Sequence, residues 1–372
     1  MQSLYRRPLP EALIEFGSAD GRALFREALA LGTMESYFAL AEQHHTQADP
    51  AFCGLGSLVV VLNALAIDPG RLWKGPWRWF SEEMLDCCVS LEVVRRAGLT
   101  LGEVGCLARC NGADARVVAA SAGDEEVFRQ AILQSSRSAT GPFLIAAYSR
   151  AALGQSGQGH YSPIGGYHAG RDLVLLLDVA RFKYPPHWVP LPQLFRAMQA
   201  ADPVTGQSRG FIQLVRAESP VSLALVFSRQ GEGWRGIADF VTHAVPRLLR
   251  EAAQGSPEQA LRLVLQGASE VAAGLALRPS VEPPHREAVE RVLAQLRSSP
   301  VFALAERACP GASAELAATL LYMVPSEAWE GLAPEVSREL QVLLDLDRLE
   351  VELRNDVRAL RKQLAELVAC RT

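Results

Sequence analysis

The sequence predicts an α+β fold in two parts, and three observations carry that prediction. Helix-period patterns open the chain; short β-branched and aromatic runs, broken by Gly, Pro, Asp and Arg, crowd the stretch from Pro142 to Arg216; an Ala, Leu, Glu and Arg-rich texture follows. Helices followed by strands give the α+β order. The change of texture sets a first domain at residues 1–217 and a mainly α-helical second domain at 218–372, with the boundary near Glu218 to Pro220.

Taken in order, Gly21 to Leu31 and Met34 to Gln43 read as helices. Gly54 to Leu65 is apolar on nearly every face, so a buried helix should follow Pro50-Ala51-Phe52-Cys53. Trp73, Trp77 and Trp79 are expected to pack a long loop, with a place along a binding groove as the alternative. Thr100-Leu101-Gly102-Glu103 has capping-box spacing and predicts a short helix from Leu101 to about Arg109, with Cys106 and Cys110 one turn apart near its end. Phe143 to Tyr148, His160 to Tyr167, Leu173 to Val179 and Phe211 to Val215 read as strands of an antiparallel sheet.

Composition then excludes several function classes. Charged residues are 21% of the 372, and the net charge is −4, so no basic field exists to hold nucleic acid or an anionic membrane surface. The longest apolar stretches, such as Leu58 to Leu62 and Leu173 to Leu177, fall far short of the roughly 20 residues that span a bilayer. Glu11, Glu15 and Asp20 arrive too early for a secretory h-region behind Arg6 and Arg7, so a cytoplasmic location is the default expectation. Seven dispersed cysteines, an odd number, do not suggest a disulfide framework, and reduced thiols are expected.

The candidate chemistry begins at Cys53. It stands at the predicted N-terminus of the buried helix, where unpaired amides and the helix dipole favour a thiolate. An inert core cysteine is the bland alternative. Gln47 lies six residues upstream, a spacing that lets its amide return toward the backbone N–H of Cys53 as a two-donor oxyanion hole. A thiolate needs a base, and the base needs an acceptor that fixes its tautomer. The segment from Gly159 through His168 to Asp178 reads as a hairpin turning near Ala169, and an odd loop would put His160 and Asp178 on one face. A carboxylate ending the apolar run Leu173 to Leu177 should be partly buried, and therefore paired.

Four blocks now carry a specific resemblance: Gln47-Ala48-Asp49-Pro50-Ala51-Phe52-Cys53-Gly54-Leu55, Asn63 to Arg71, Trp73 to Phe80, and Asp178-Val179-Ala180-Arg181-Phe182-Lys183-Tyr184-Pro185-Pro186-His187-Trp188-Val189. The chain resembles phytochelatin synthase over roughly residues 4 to 216. The resemblance implies a papain-like catalytic domain in which Cys53 attacks the Cys–Gly amide of glutathione. His160 would pass a proton to the departing glycine and Asp178 would orient it. A second glutathione would resolve the γ-glutamylcysteinyl thioester to give phytochelatins. A papain-like hydrolase of glutathione or its conjugates is the alternative.

The substrate's two carboxylates call for arginines, and Arg181 and Arg209, with Tyr184 as a nearby donor, are the candidates. No permanent cofactor is implied. Activation by Cd, Zn or Cu would come through thiolate complexes of the substrate, since soft thiolates select these metals. Cys87, Cys88, Cys106 and Cys110 match paired cysteines of plant-like members and are candidate metal contacts, although their spacing is not that of a structural zinc site.

The resemblance stops at the second domain, where eukaryotic members are rich in cysteine pairs and this chain has only Cys309 and Cys370. A regulatory or stabilising role is expected there. Val342, Leu346, Leu349, Leu353, Val357, Leu360, Leu364 and Leu367 describe one long amphipathic helix. Its stripe would serve either a homodimer or packing onto its own domain.

Overall fold

A computed structural model of the chain describes residues 6–69, 73–86, 89–121, 124–217, 227–229, 236–237, 239–251, 257–272, 275–277, 285–308, 313–329 and 334–369. The expected boundary at Glu218 to Pro220, and Cys87, Cys88, Cys309 and Cys370, lie outside these residues. The fold is mixed α+β in two compact units, one formed mainly before residue 219 and one mainly after it.

The first unit is organised by a seven-stranded antiparallel sheet in the order β1-β6-β5-β4-β3-β7-β2. The strands are β1 (Ile14–Glu15), β2 (Ala113–Ala119), β3 (Phe143–Ser149), β4 (Gly159–His168), β5 (Leu173–Leu176), β6 (His187–Pro190) and β7 (Gly210–Arg216). The four expected strands are present, the third ending at Leu176 rather than Val179, while β1, β2 and β6 were not legible. β1 and β6 are too short to show an alternation. In β2 the alternation rests on alanines, with Ala113 and Ala115 buried and Asp114 and Arg116 exposed, so its apolar signal is weak.

The helices are α1 (Ala19–Ala30), α2 (Glu35–Gln43), α3 (Cys53–Ala64), α4 (Leu91–Ala97), α5 (Leu101–Cys110), α6 (Glu125–Ser136) and α7 (Leu191–Gln199). α5 starts on the expected capping box: Thr100 Oγ1 accepts from the Glu103 N–H, and Glu103 Oε2 accepts from the Thr100 N–H at 2.9 Å. α3 is the buried helix anticipated from its all-round apolarity. Leu55, Leu58, Val60, Val61 and Leu62 are fully buried, each contributing about 1.5–3 kcal/mol relative to exposure. It packs on α2, α5, β3 and β4. Phe128 and Ile132 of α6 and Leu194, Phe195 and Met198 of α7 meet Leu144, Ala146, Tyr148, Ile164 and Phe211 of the sheet in one apolar cluster.

Two expectations fail here. Trp73, Trp77 and Trp79 are 37%, 70% and 42% exposed rather than packed, and Trp77, the most exposed of them, closes a tight turn with Lys74 at the surface. The reduced-thiol reading fails at Cys106, which is disulfide-bonded and so has no thiolate to offer a metal.

The second unit is mainly helical, with Pro257–Ala272, His285–Arg297, Ser313–Met323 and Val351–Ala369 among its helices and a two-stranded pair of Phe227–Arg229 with Leu275–Leu277. The single long helix expected from Val342 is interrupted. One helix ends at Leu343, a 3₁₀ turn spans Leu346–Arg348, and the last helix begins at Val351. Asp345 causes the break, since its side chain accepts from the Asp347 N–H and offers the backbone an alternative to the helical bond. Leu353, Val357, Leu360 and Leu364 are buried within the unit.

Candidate active site

The site is assembled at the head of α3 and the end of β4. Cys53 is the first residue of α3, in the turn whose amides lack intrahelical acceptors. Its sulfur lies against the backbone of Tyr161 and of Gly54, which brings it beside the residue that follows His160. The Cys53 residue keeps partial exposure. Burial of the sulfur's surroundings nonetheless pushes the thiol up, outweighing those two backbone amides and the Arg150 guanidinium. The helix terminus therefore does not hold a resting thiolate, contrary to the sequence expectation.

His160 and Asp178 meet as expected, by a route the sequence did not disclose. His168 pairs with Leu173, so the turn holds four residues, Ala169 to Asp172, an even number. An even turn alone would send positions 160 and 178 to opposite faces. A β-bulge between Ile164 and Gly166 shifts the register by one, so Ile164 pairs with Leu176. The Leu177 N–H donates to the Pro163 carbonyl at 3.0 Å, which sets Asp178 level with Ser162 and diagonal to His160 on the same face. The bulge is closely packed: a Cβ on Gly165 would lie 2.8 Å from Leu177 Cγ, and one on Gly166 would push the Met34 side chain aside.

His160 Nε2 donates to Asp178 Oδ1 at 2.9 Å, and the two residues are 4% and 0% exposed. Because that nitrogen is committed, Nδ1 is the one left to exchange a proton with a thiol. Arg150, 2% exposed, binds both Asp178 oxygens through Nη2 at 3.0 and 2.9 Å, and the Ala180 N–H donates to Oδ1 at 2.9 Å. His160 and Arg150 hold the Asp178 carboxyl well below the usual carboxylate range, despite its burial. Burial, and then Arg150, lower His160 to about 4 although Asp178 pulls the other way. Burial thus favours the neutral form of both the thiol and the imidazole.

The other expected residues are placed as follows. Gln47 is buried, but its Nε2 donates to the carbonyls of Asp49 and Pro50 at 2.8 and 3.0 Å, and Oε1 has no hydrogen-bond partner among the described residues. Those carbonyls belong to the turn before α3 and take the donors that an oxyanion would need. Arg209 Nη1 donates to the carbonyls of Ala200 and Ala201, both at 2.8 Å, while Nε and Nη2 lie over Gly159. The Tyr184 hydroxyl accepts from the Ser156 N–H at 2.9 Å, and its ring sits under the Arg150 guanidinium. Arg181 is exposed and lies near His44, whose Nε2 is 3.3 Å from the Asp178 carbonyl. Cys110 is buried, and no group of three or more metal-ligating side chains occurs among the described residues.

Sequence reasoning missed Arg150, Gln155 and His187. The signal for Arg150 was present in the demand of a buried carboxylate for a full charge partner, which a neutral imidazole does not supply. A separate cavity of about 770 Å³ lies along α2 and α3, lined in part by Glu82, Phe52, Trp73, Lys74 and Trp79.

An imidazole tied through Nε2 to a buried carboxylate, with a helix-head thiol against the backbone of the next residue, Tyr161, has the form of a cysteine acyl-transfer site. The phytochelatin synthase family profile matches residues 4–211, and the chain belongs to that family. It is 48% identical to glutathione gamma-glutamylcysteinyltransferase 3 of Lotus japonicus over 264 residues, 71% of this chain and 55% of that protein. It is 52% identical to glutathione gamma-glutamylcysteinyltransferase 1 of Triticum aestivum over 250 residues, 67% of this chain and 50% of that protein. It is 41% identical to the glutathione gamma-glutamylcysteinyltransferase of Schizosaccharomyces pombe over 240 residues, 64% of this chain and 58% of that protein. The chain spans about half the length of the curated relatives it matches. No helix among the described residues is long and apolar enough to cross a membrane.

Proposed function

We propose that the chain is a phytochelatin synthase, a papain-like glutathione γ-glutamylcysteinyltransferase, with its catalytic domain at 1–217. The observation that carries the reading is the juxtaposition of Cys53 with the buried His160–Asp178–Arg150 group inside the residues matched to the family. Cys53 gives its proton to His160 Nδ1 as the sulfur attacks the Cys–Gly carbonyl carbon of glutathione. The C–N bond then breaks, and the glycine nitrogen leaves with that proton. The amine of a second glutathione or of a phytochelatin attacks the thioester, returns a proton through His160 and frees the thiol. Asp178 holds the imidazolium that forms in each half-reaction.

Gln47 exchanges one of its two carbonyl acceptors for the oxyanion, joining the Cys53 N–H. Arg181, Arg209 and Tyr184 serve the substrate carboxylates. Cd, Zn or Cu enters as a thiolate complex of the substrate rather than as a resident cofactor. The second unit stabilises or regulates the first, and the enzyme works in the cytoplasm.

Mass spectrometry of purified protein with glutathione, with and without Cd²⁺ or Zn²⁺, tests this beside Cys53→Ser. γ-Glutamylcysteine oligomers that require Cys53 are expected. γ-Glutamylcysteine and glycine alone would make it a hydrolase, and oligomers persisting in Cys53→Ser would refute the nucleophile.

A further inference from the structure

Behind Asp178 lies a chain of buried polar groups that the transfer chemistry does not use. His187 is fully buried and directs Nδ1 at the carbonyl of Pro185, 2.8 Å away. A carbonyl only accepts, so Nδ1 carries the proton and Nε2 is left as an acceptor. Gln155, 4% exposed, has its Nε2 3.0 Å from that atom and therefore donates to it. The amide is thereby fixed with Oε1 toward Arg150, whose Nη1 donates to it at 2.5 Å. Arg150 Nη2 donates to Asp178, and Asp178 accepts from His160 Nε2. The Pro185 carbonyl, through His187, and the donor-only Arg150 guanidinium thus demand the same orientation of the Gln155 amide, while guanidinium and carboxylate fix the direction of the remaining links to the imidazole.

We propose that Gln155 and His187 are positioning residues for the Cys53–His160 pair, acting through Arg150 and Asp178 to hold the His160 ring in the orientation that presents Nδ1 to the thiol. This rests on the acyl-transfer reading above. Two apolar side chains would fill the same space, and a buried polar chain is stabilising only when each member is satisfied, as each of these links is. Burial also holds His187 below its ordinary range, so it stays an acceptor. A protonated His187 would turn an N–H on the Gln155 amide, flip it, and bring its NH₂ against the Arg150 guanidinium. The charged and titratable groups around the chain are Cys53, Asp178, His160, Lys183, Tyr184 and Tyr148, with His44 at the Asp178 carbonyl.

The test compares His187→Phe, which fills the space without an acceptor, with His187→Gln, whose carbonyl replaces Nε2, and with Gln155→Met. Rates of Cys53 alkylation by iodoacetamide are measured from pH 5 to 9, alongside kcat and KM with glutathione. His187→Phe and Gln155→Met are expected to lower alkylation and kcat about tenfold and to move the alkylation midpoint, with KM unchanged, while His187→Gln stays within about threefold of the parent. A purely space-filling role predicts the reverse order of the two His187 variants and would overturn the proposal. Loss of folding in both His187→Phe and Gln155→Met would likewise assign the pair to the scaffold. Alkylation needs no glutathione, so failure of the transferase reading leaves this test intact.

Discussion

Replacing Arg150 by Met should destabilise the first unit by about 4 kcal/mol. The substitution keeps the apolar stem, so little packing is lost. It removes both bonds to a carboxylate that is 0% exposed, and breaking a buried pair from one side costs about 3–5 kcal/mol. The contact with the Tyr184 ring, 5.1 Å from the guanidinium carbon, adds up to about 1 kcal/mol. Against this, Asp178 keeps His160 Nε2 and the Ala180 N–H. With a urea slope of about 2 kcal/mol/M, the unfolding midpoint should fall by about 2 M. Asp178 is a depressed carboxyl, so its contribution is present above the unfolded value near 3.9 and lost as pH falls through the folded value. Without Arg150 that folded value rises, and the acid limb of unfolding should move to higher pH. A midpoint shift below about 0.5 M at neutral pH, with an unchanged slope, would show that the pair contributes no net stability and refute the reasoning.

Other expectations follow from the same groups. His160, held at about 4 and free to reach about 6.5 when unfolded, should cost the first unit roughly 3 kcal/mol between pH 6.5 and pH 4, because the unfolded chain takes up the proton first; urea midpoints across that range check it. Asp356 has the opposite sign: it is buried, neither carboxylate oxygen has a hydrogen-bond partner among the described residues, and burial raises it to about 8. Stability of the second unit should therefore fall from pH 4 to pH 8, by at most roughly 5 kcal/mol, and Asp356→Asn should flatten that slope in hydrogen exchange of peptides from the last helix; a slope unchanged by the substitution contradicts the assignment. Gly210→Ala should cost at least about 2 kcal/mol, because its Cβ would strike the Val118 carbonyl and the Ala119 Cα, whereas Gly17→Ala meets nothing within 4 Å and should leave the melting temperature nearly unchanged.

The parts of this protein that were legible in the sequence are those with a local cause. The capping box at Thr100, the all-round apolarity of α3 and the short apolar runs of β3 and β5 each declare themselves within a dozen residues. Cys53, His160 and Asp178 stood out through their immediate neighbours. What stayed hidden depends on partners distant in sequence. β2 exists because it pairs along its whole length with β7, about a hundred residues away. Arg150 and His187 look like an ordinary strand-end arginine and a strand histidine until the sheet closes around Asp178. The thiol's protonation was misjudged for the same reason, since a helix terminus is visible in sequence and the burial that overrides it is not.

The ribbon between His160 and Asp178 behaves as a phase counter. Each residue advances the side chains by half a pleat, so what joins base to carboxylate is whether the intervening length, turn and bulge together, comes out even or odd. A single insertion or deletion anywhere along it would leave every residue of the site in place in the sequence and yet point the carboxylate away from the imidazole. Two compensating changes would restore the match. Length changes that survive in this hairpin should come in pairs, and any transplant of the site to another scaffold must carry the ribbon whole.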